Sequence, residues 1–472
     1  MMSKKKLFLM PVLLLLAISL IFTGCTGTGP ATETEETEGP PPEEEAPESI
    51  KIAAARSLSG PLKVFEDTAM GPIYKLWQHQ VNDVDGGIYV EKYDKKLPVS
   101  IDVRDDASEM DTMVTLLTQM LESGEYPFVI GPCCTPFLQA AGPIVSEHKS
   151  IMVGAEGGAT TVAESIDQYP YMFSNLNFSN WNQQHELAKL MDGWQAYHEP
   201  DPINVYVTYI DDLFGYEYSD AFQAEADKYD SINILKEVAV PPYTTEVEAQ
   251  VEEAANLGAD VFCIFAYPPT PQAVVGYASS VGINFNAVVT GPAACYEGFY
   301  DPAADGFGKA AIGVAGFGAW NEYSSPALRE FAEAFIDYHG RGLMDWWGGA
   351  HYYAGLDMLK QAIEKAGSLD PTEVRDVMAS EKLQTILGET WYTDYEGNWP
   401  IGDSGGLLSI GSHPGEVGQW QKVEAPNWGG TEANPRDKPY GVSGDEWAAF
   451  EVIDLNDNQT AEAIYPKKDW SE

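Results

Sequence analysis

Ser49-Ile50-Lys51-Ile52-Ala53-Ala54-Ala55-Arg56-Ser57-Leu58-Ser59-Gly60-Pro61 decides the fold. Its first six residues alternate as a strand does, and from Arg56 it breaks into a short loop ending in Gly-Pro. A helix follows through Tyr74, Leu76, Trp77 and Val81, closed by Asp85-Gly86-Gly87. Val99-Ser100-Ile101-Asp102-Val103 is the next strand, and residues 109–122 place Met113, Leu116, Leu117 and Met120 at helical spacing. Phe128-Val129-Ile130 then runs into Gly131-Pro132, and Ile151-Met152-Val153 enters Gly154-Ala155-Glu156-Gly157-Gly158. The rhythm restarts with strands at Ile203–Tyr209, Ile232–Val240, Val261–Phe265 and Val288–Thr290. Helices follow Phe214-Gly215 and run from Glu246 to Leu257. Strands alternating with helices of about 10–15 residues build parallel sheets from βαβ units. Two such runs, broken near residues 171–182, predict an α/β protein of two Rossmann-like lobes. Open α/β sheets bind ligands at the carboxyl ends of their strands. That draws attention to Ser59, Thr135, Gly157, Phe214 and Tyr267. No GxGxxG or Walker loop is present, so nucleotide binding has no motif support.

The amino terminus predicts export. Lys4, Lys5 and Lys6 precede an apolar run from Leu7 to Phe22, and Thr23-Gly24 leads to Cys25. A basic start, an apolar core and a small-residue exit make a secretory signal over residues 1–24. The run is shorter than the roughly 20 residues a spanning helix needs. Cys25 at the exit resembles a prokaryotic lipoprotein cleavage site, with Phe22 where Leu is usual. The implied mature chain is lipidated at Cys25 and sits on the outer face of the cytoplasmic membrane. The other reading is an uncleaved anchor helix with an incidental cysteine, and both hold the chain at the membrane. Residues 25–48, with eight glutamates and five prolines after Cys25, read as a disordered, self-repelling tether.

Composition narrows the function. The 472 residues include 72 acidic against 27 basic side chains, a formal net charge of -45. Such a surface repels phosphate backbones and anionic lipid, so no nucleic-acid partner is expected and contact with the membrane is through the lipid anchor only. A hydrophobic content of 44% and an aromatic content of 12% predict a folded body large enough for two domains. Cys133, Cys134, Cys263 and Cys295 show no CxxC spacing and read as small buried thiols, a disulfide from Cys133 or Cys134 to a distant partner remaining open. The seven histidines show no HExxH or HxH arrangement, and no GxSxG elbow is present. Asp105-Asp106 and Asp211-Asp212 at strand ends read as caps and loop solvation. Hence no catalytic residue, metal or cofactor is expected. An exported hydrolase or thiol enzyme is the remote alternative.

The order of these pieces resembles the extracytoplasmic solute-binding proteins of branched-chain amino acid ABC importers. The pieces are Leu58-Ser59-Gly60-Pro61, Asp85-Gly86-Gly87-Ile88, Val103-Arg104-Asp105-Asp106, Val129-Ile130-Gly131-Pro132 and Tyr169-Pro170-Tyr171-Met172-Phe173. Phe214-Gly215, Ala266-Tyr267-Pro268-Pro269, Gln361 to Gly367 and Ala463-Ile464-Tyr465-Pro466-Lys467 continue the series. The resemblance implies the type I periplasmic binding fold: two lobes, a multi-stranded hinge and a ligand in the cleft. It puts residues 49–172 and 306–382 in lobe one, and 173–305 with the 383–472 remainder, hinge crossing and tail in lobe two. The stretch 403–450 has no counterpart in the family's compact tail. The implied ligand contacts are Phe65, Thr135, Glu156, Gly157, Gly158, Phe214 and Tyr267, with Ser59, Trp181, Ala293 and Trp320 as possible cleft wall. The family acid that pairs with an α-ammonium follows Gly-Pro, but here Gly291-Pro292 is followed by Ala293. Glu156 is the candidate replacement, and the combination points to a cationic or neutral polar ligand. Implied partners are a small solute and ABC permease subunits, or a chemoreceptor or kinase if the fold serves sensing.

Overall fold

The computed structural model describes residues 45–470 apart from 155, 159, 177–178, 319, 323, 341–342, 412–416, 424–441, 444–446 and 456–458, and without the side chains of 179–182. The signal, Cys25 and nearly all of the tether lie outside the described residues, as does the Trp181 side chain.

β1 (Ile50–Arg56) is buried at every position but Lys51 and leads into α1 (Lys63–Thr68) and α2 (Met70–His79). A small hairpin of β2 (Ile88–Val90) and β3 (Lys95–Leu97) precedes β4 (Val99–Asp105). Then come α3 (Met110–Glu122), β5 (Phe128–Ile130), α4 (Thr135–Glu147), β6 (Ile151–Val153), α5 (Thr160–Ser165) and β7 (Met172–Ser174). α6 (Ser179–Gly193) carries the chain to a second run: β8 (Ile203–Ile210), α7 (Leu213–Ala226), β9 (Ile232–Val240), α8 (Glu248–Leu257) and β10 (Val261–Phe265). That run closes with α9 (Thr270–Val281), β11 (Ala287–Thr290), α10 (Glu297–Tyr300) and β12 (Val314–Phe317). Three helices follow: α11 (Pro326–His339), α12 (Gly348–Ala366) and α13 (Pro371–Ser380). The last strands are β13 (Leu383–Thr385), β14 (Gly388–Thr393), β15 (Gly406–Ile410), β16 (Val417–Lys422), β17 (Val442–Ser443) and β18 (Trp447–Val452).

These strands form two eight-stranded sheets, in the orders β13-β14-β15-β7-β6-β5-β1-β4 and β17-β18-β16-β12-β11-β10-β8-β9. Each contains a block of five parallel strands from one βαβ run. β5, β6 and β10 are buried at every residue, as unbroken apolar strands covered on both faces should be. The fold class expected from the sequence is therefore present, with one refinement: the late strands make both sheets mixed. β15 joins β7 in parallel, while β13, β14, β16, β17 and β18 are antiparallel additions.

The lobe boundaries differ from those expected. Met172–Ser174 and residues 383–410 belong to the first sheet, whereas β12 is still part of the second. The physical reason is the open edge of β7, which takes Gly406 against Phe173 and Leu407 against Ser174. Gly405 and Gly406 allow that approach, since a Cβ on Gly405 would stand 2.4 Å from the Tyr169 carbonyl oxygen. The part of 403–450 that is described thus supplies β15, β16, β17 and most of β18. The chain passes between the sheets three times: between β7 and β8, between β12 and the helices α11 and α12 that pack on α2, and between β15 and β16.

Candidate functional site

In both parallel blocks the first strand lies between the second and the third, so strand order reverses beside β1 and beside β8. A topological switch point opens a crevice at the carboxyl ends of the strands. The two crevices face one another. Thr135, at the start of α4 beyond β5, and Glu156-Gly157-Gly158, beyond β6, come from the first lobe. Phe214, opening α7, Tyr267, beyond β10, and Pro292, beyond β11, come from the second. Phe65 and Ala69, Leu176 on the first crossing, Tyr296, and Asp345, Trp347 and Tyr352 at the head of α12 complete a cavity with about 400 Å³ of atom-free space. The lobes touch around it: Phe65 meets Tyr267 edge-on at 5.3 Å, and the Thr161 amide donates to Glu217 of α7 at 3.2 Å.

All seven residues expected to contact a ligand therefore line this one cavity. Of the possible wall residues, Ser59, Ala293 and Trp320 do not, and the Trp181 side chain lies outside the described residues. Ser59 is exposed, because Asp105 accepts from its hydroxyl at 2.7 Å and from the amides of Leu58 and Ser59. Ala293 is fully buried in a turn whose carbonyl accepts from the Tyr296 amide, and Pro292 lines the cavity in its place. Trp320 is buried against the His351 ring at 5.9 Å.

Glu156 is not free to replace the missing acid. Arg56, fully buried at the end of β1, donates Nη1 to Glu156 Oε2 at 2.9 Å and Nη2 to Oε1 at 2.7 Å. The same guanidinium donates Nε to Glu66 at 3.1 Å and Nη1 to the Gly131 carbonyl at 2.9 Å. A buried carboxylate gripped on both oxygens by a guanidinium is neutralised where it stands. Sequence reading left Arg56 in a loop; its signal was a lone charge at the end of an apolar strand.

Sequence reading also missed Asp345. Its Oδ1 accepts from the Trp347 amide at 2.9 Å, and its Oδ2 from the amides of Gly348 and Gly349, each at 3.1 Å. Burial pushes its pKa up to about 7, although these amides and the Cys295 thiol pull the other way. An acid three residues before a Gly-Gly helix start was visible in the sequence. Across the cavity, burial also raises Asp212 to about 6; this residue caps α7 through the Gly215 amide at 3.0 Å. The Tyr267 hydroxyl lies beside Asp212 and, by hydrogen bonding, opposes that rise, whereas the Trp347 Nε1–H is buried with no partner. Cys134, immediately before Thr135, holds φ 60° and ψ 162°, a region that glycine almost alone adopts. The four described cysteines are buried and unpaired. Among the described residues no three potential metal ligands converge, and no helix is long and apolar enough to cross a membrane.

Residues 49–399 match the family model described as periplasmic binding protein. Among solved structures, the fold is similar to a solute-binding protein of an ABC transporter from Rhodopseudomonas palustris BisB5, in complex with 3,4-dihydroxybenzoic acid. That pair shares 16% identity at a TM-score of 0.64, covering 87% of this chain and 99% of the other. The branched-chain amino acid binding protein LivJ of Streptococcus pneumoniae, in complex with isoleucine, shares 15% identity at a TM-score of 0.62, covering 79% and 96%. The leucine-binding protein LivK of Thermotoga maritima shares 17% at 0.59, covering 78% and 97%.

Proposed function

Since the chain belongs to the periplasmic binding protein family, a family of extracytoplasmic solute receptors, we propose that it is the membrane-tethered receptor of an ABC importer. Its solute is small and polar: an amino acid, an amine or an amide-like compound. One observation carries the reading. One cavity takes side chains from both lobes, Thr135 and Glu156 from one, Phe214 and Tyr267 from the other. A solute seated there contacts both lobes only when they are together, and so shifts the population toward the closed arrangement. Three passes of chain between the lobes suit a hinge. The closed form then docks on permease subunits and releases the solute to them, while lipid on Cys25 keeps the receptor beside its fixed partner.

Small-angle scattering of the purified protein, with and without each member of a broad solute panel, tests this. A binding solute should lower the radius of gyration and change tryptophan fluorescence, since Trp347 lines the cavity. A panel that produces neither response would overturn the reading.

A further inference from the structure

We propose that the cavity is shaped for a quaternary ammonium group, so that the solute is a trimethylammonium compound carrying an oxygen at its other end. The inference rests on the receptor reading above and names the solute class. Six aromatic side chains line the cavity: Phe65, Phe214, Tyr267, Tyr296, Trp347 and Tyr352. Three of them touch: Tyr267 meets the edge of Phe65 at 5.3 Å and stacks on Phe214 at 4.7 Å. Among the described residues no lysine, arginine or histidine lines it, whereas two acids, Glu156 and Asp345, do. Aromatic faces select a cation.

Hydrogen-bond capacity then selects which cation. A primary ammonium brings three N–H donors, each needing an acceptor once water is excluded. The acids cannot provide them. Glu156 is held on both oxygens by Arg56 and also accepts from the Met70 amide at 3.3 Å. Asp345 accepts from three backbone amides and faces the Cys295 thiol. A quaternary ammonium donates nothing. It needs only the faces of rings. The polar group left over in the wall is complementary to an oxygen: the Trp347 indole N–H is buried without a partner.

Isothermal titration of the full-length chain with choline, glycine betaine, leucine, 4-hydroxybenzoate and 3,3-dimethyl-1-butanol decides the matter. The last is the uncharged carbon isostere of choline. Choline or glycine betaine should bind at least tenfold more tightly than the isostere, a modest demand on a desolvated cation–ring contact. Phe214→Leu should reduce that ratio at least fivefold. If the isostere binds as well as the cation, or if Phe214→Leu folds and leaves the ratio unchanged, the proposal falls. Binding of leucine or 4-hydroxybenzoate without either quaternary compound would also sink it, yet leave the receptor reading standing. If no solute of a wider panel binds, both fall together.

Discussion

Arg56 is the residue on which the first-lobe half of the site depends. It is fully buried, and it separates Glu66 from Glu156, two carboxylates that could not otherwise share that space. Arg56→Met should destabilise the fold by about 3–5 kcal/mol, the usual cost of leaving buried charge uncompensated; urea unfolding reads this out, and a loss below about 1 kcal/mol would refute the account. Asp345 carries a separate, pH-dependent signature. Its folded pKa of about 7 lies above the ordinary 3.8. Between those values the folded state holds a proton that the unfolded state has released, so stability falls as pH rises from about 4 to about 7. Cys295, Tyr296 and Tyr352, which act on it, are pushed up by burial and stay neutral across that window. Asp345→Asn should remove this slope, gaining on the parent by on the order of 4 kcal/mol between the two ends of the window. Parallel stability curves for the two proteins would show that Asp345 ionises freely. Of these residues the sequence disclosed Glu156 but neither partner of the argument. Arg56 finds Glu156 one hundred positions away, and no local pattern encodes such a pair.

α12 shows how an element joins the parts. Its head brings Asp345, Trp347 and Tyr352 to the cavity, and its body packs on α2, β2 and β6 of the first lobe. At mid-length it crosses the first interlobe strand so closely that a Cβ on Gly355 would stand 2.1 Å from Asn175 Nδ2. Asn175 in turn accepts from the Tyr392 hydroxyl at 2.8 Å, tying β14 to the same crossing. Gly355→Ala should therefore cost about 1–3 kcal/mol by overpacking, read from thermal or urea unfolding; an unchanged midpoint would mean that α12 is not seated on this crossing. The early elements were legible because long apolar runs alternate with helical periods from Ile50 to Thr290. β13, β14 and β15 were not: they are short and partly polar, and their place depends on which edge is open to receive them. Nothing in Gly406–Ile410 itself distinguishes an edge of the first sheet from an edge of the second.

At the scale of the whole molecule, the proposed anchor at Cys25 and the cavity are far apart in the sequence. Cys25 lies outside the described residues, and among the described residues the cavity draws on nothing before Phe65. Cys25→Ser should move the protein from the membrane fraction to the soluble exported fraction without altering solute affinity, as fractionation and titration would show; a variant that stays with the membrane would argue for an uncleaved anchor. The two-lobe plan was legible from the repeated strand–helix rhythm, while the assignment of chain to lobe was not, because the late strands return to sheets begun much earlier. That return bears on biosynthesis. β7 is complete at Ser174, yet its outer edge has no neighbour until Gly406 arrives. A growing or translocating chain must therefore carry a bare sheet edge while the entire second parallel block is made. Such an edge is a template for unwanted pairing with other chains. Truncations ending between β12 and β15 would leave that edge permanently open.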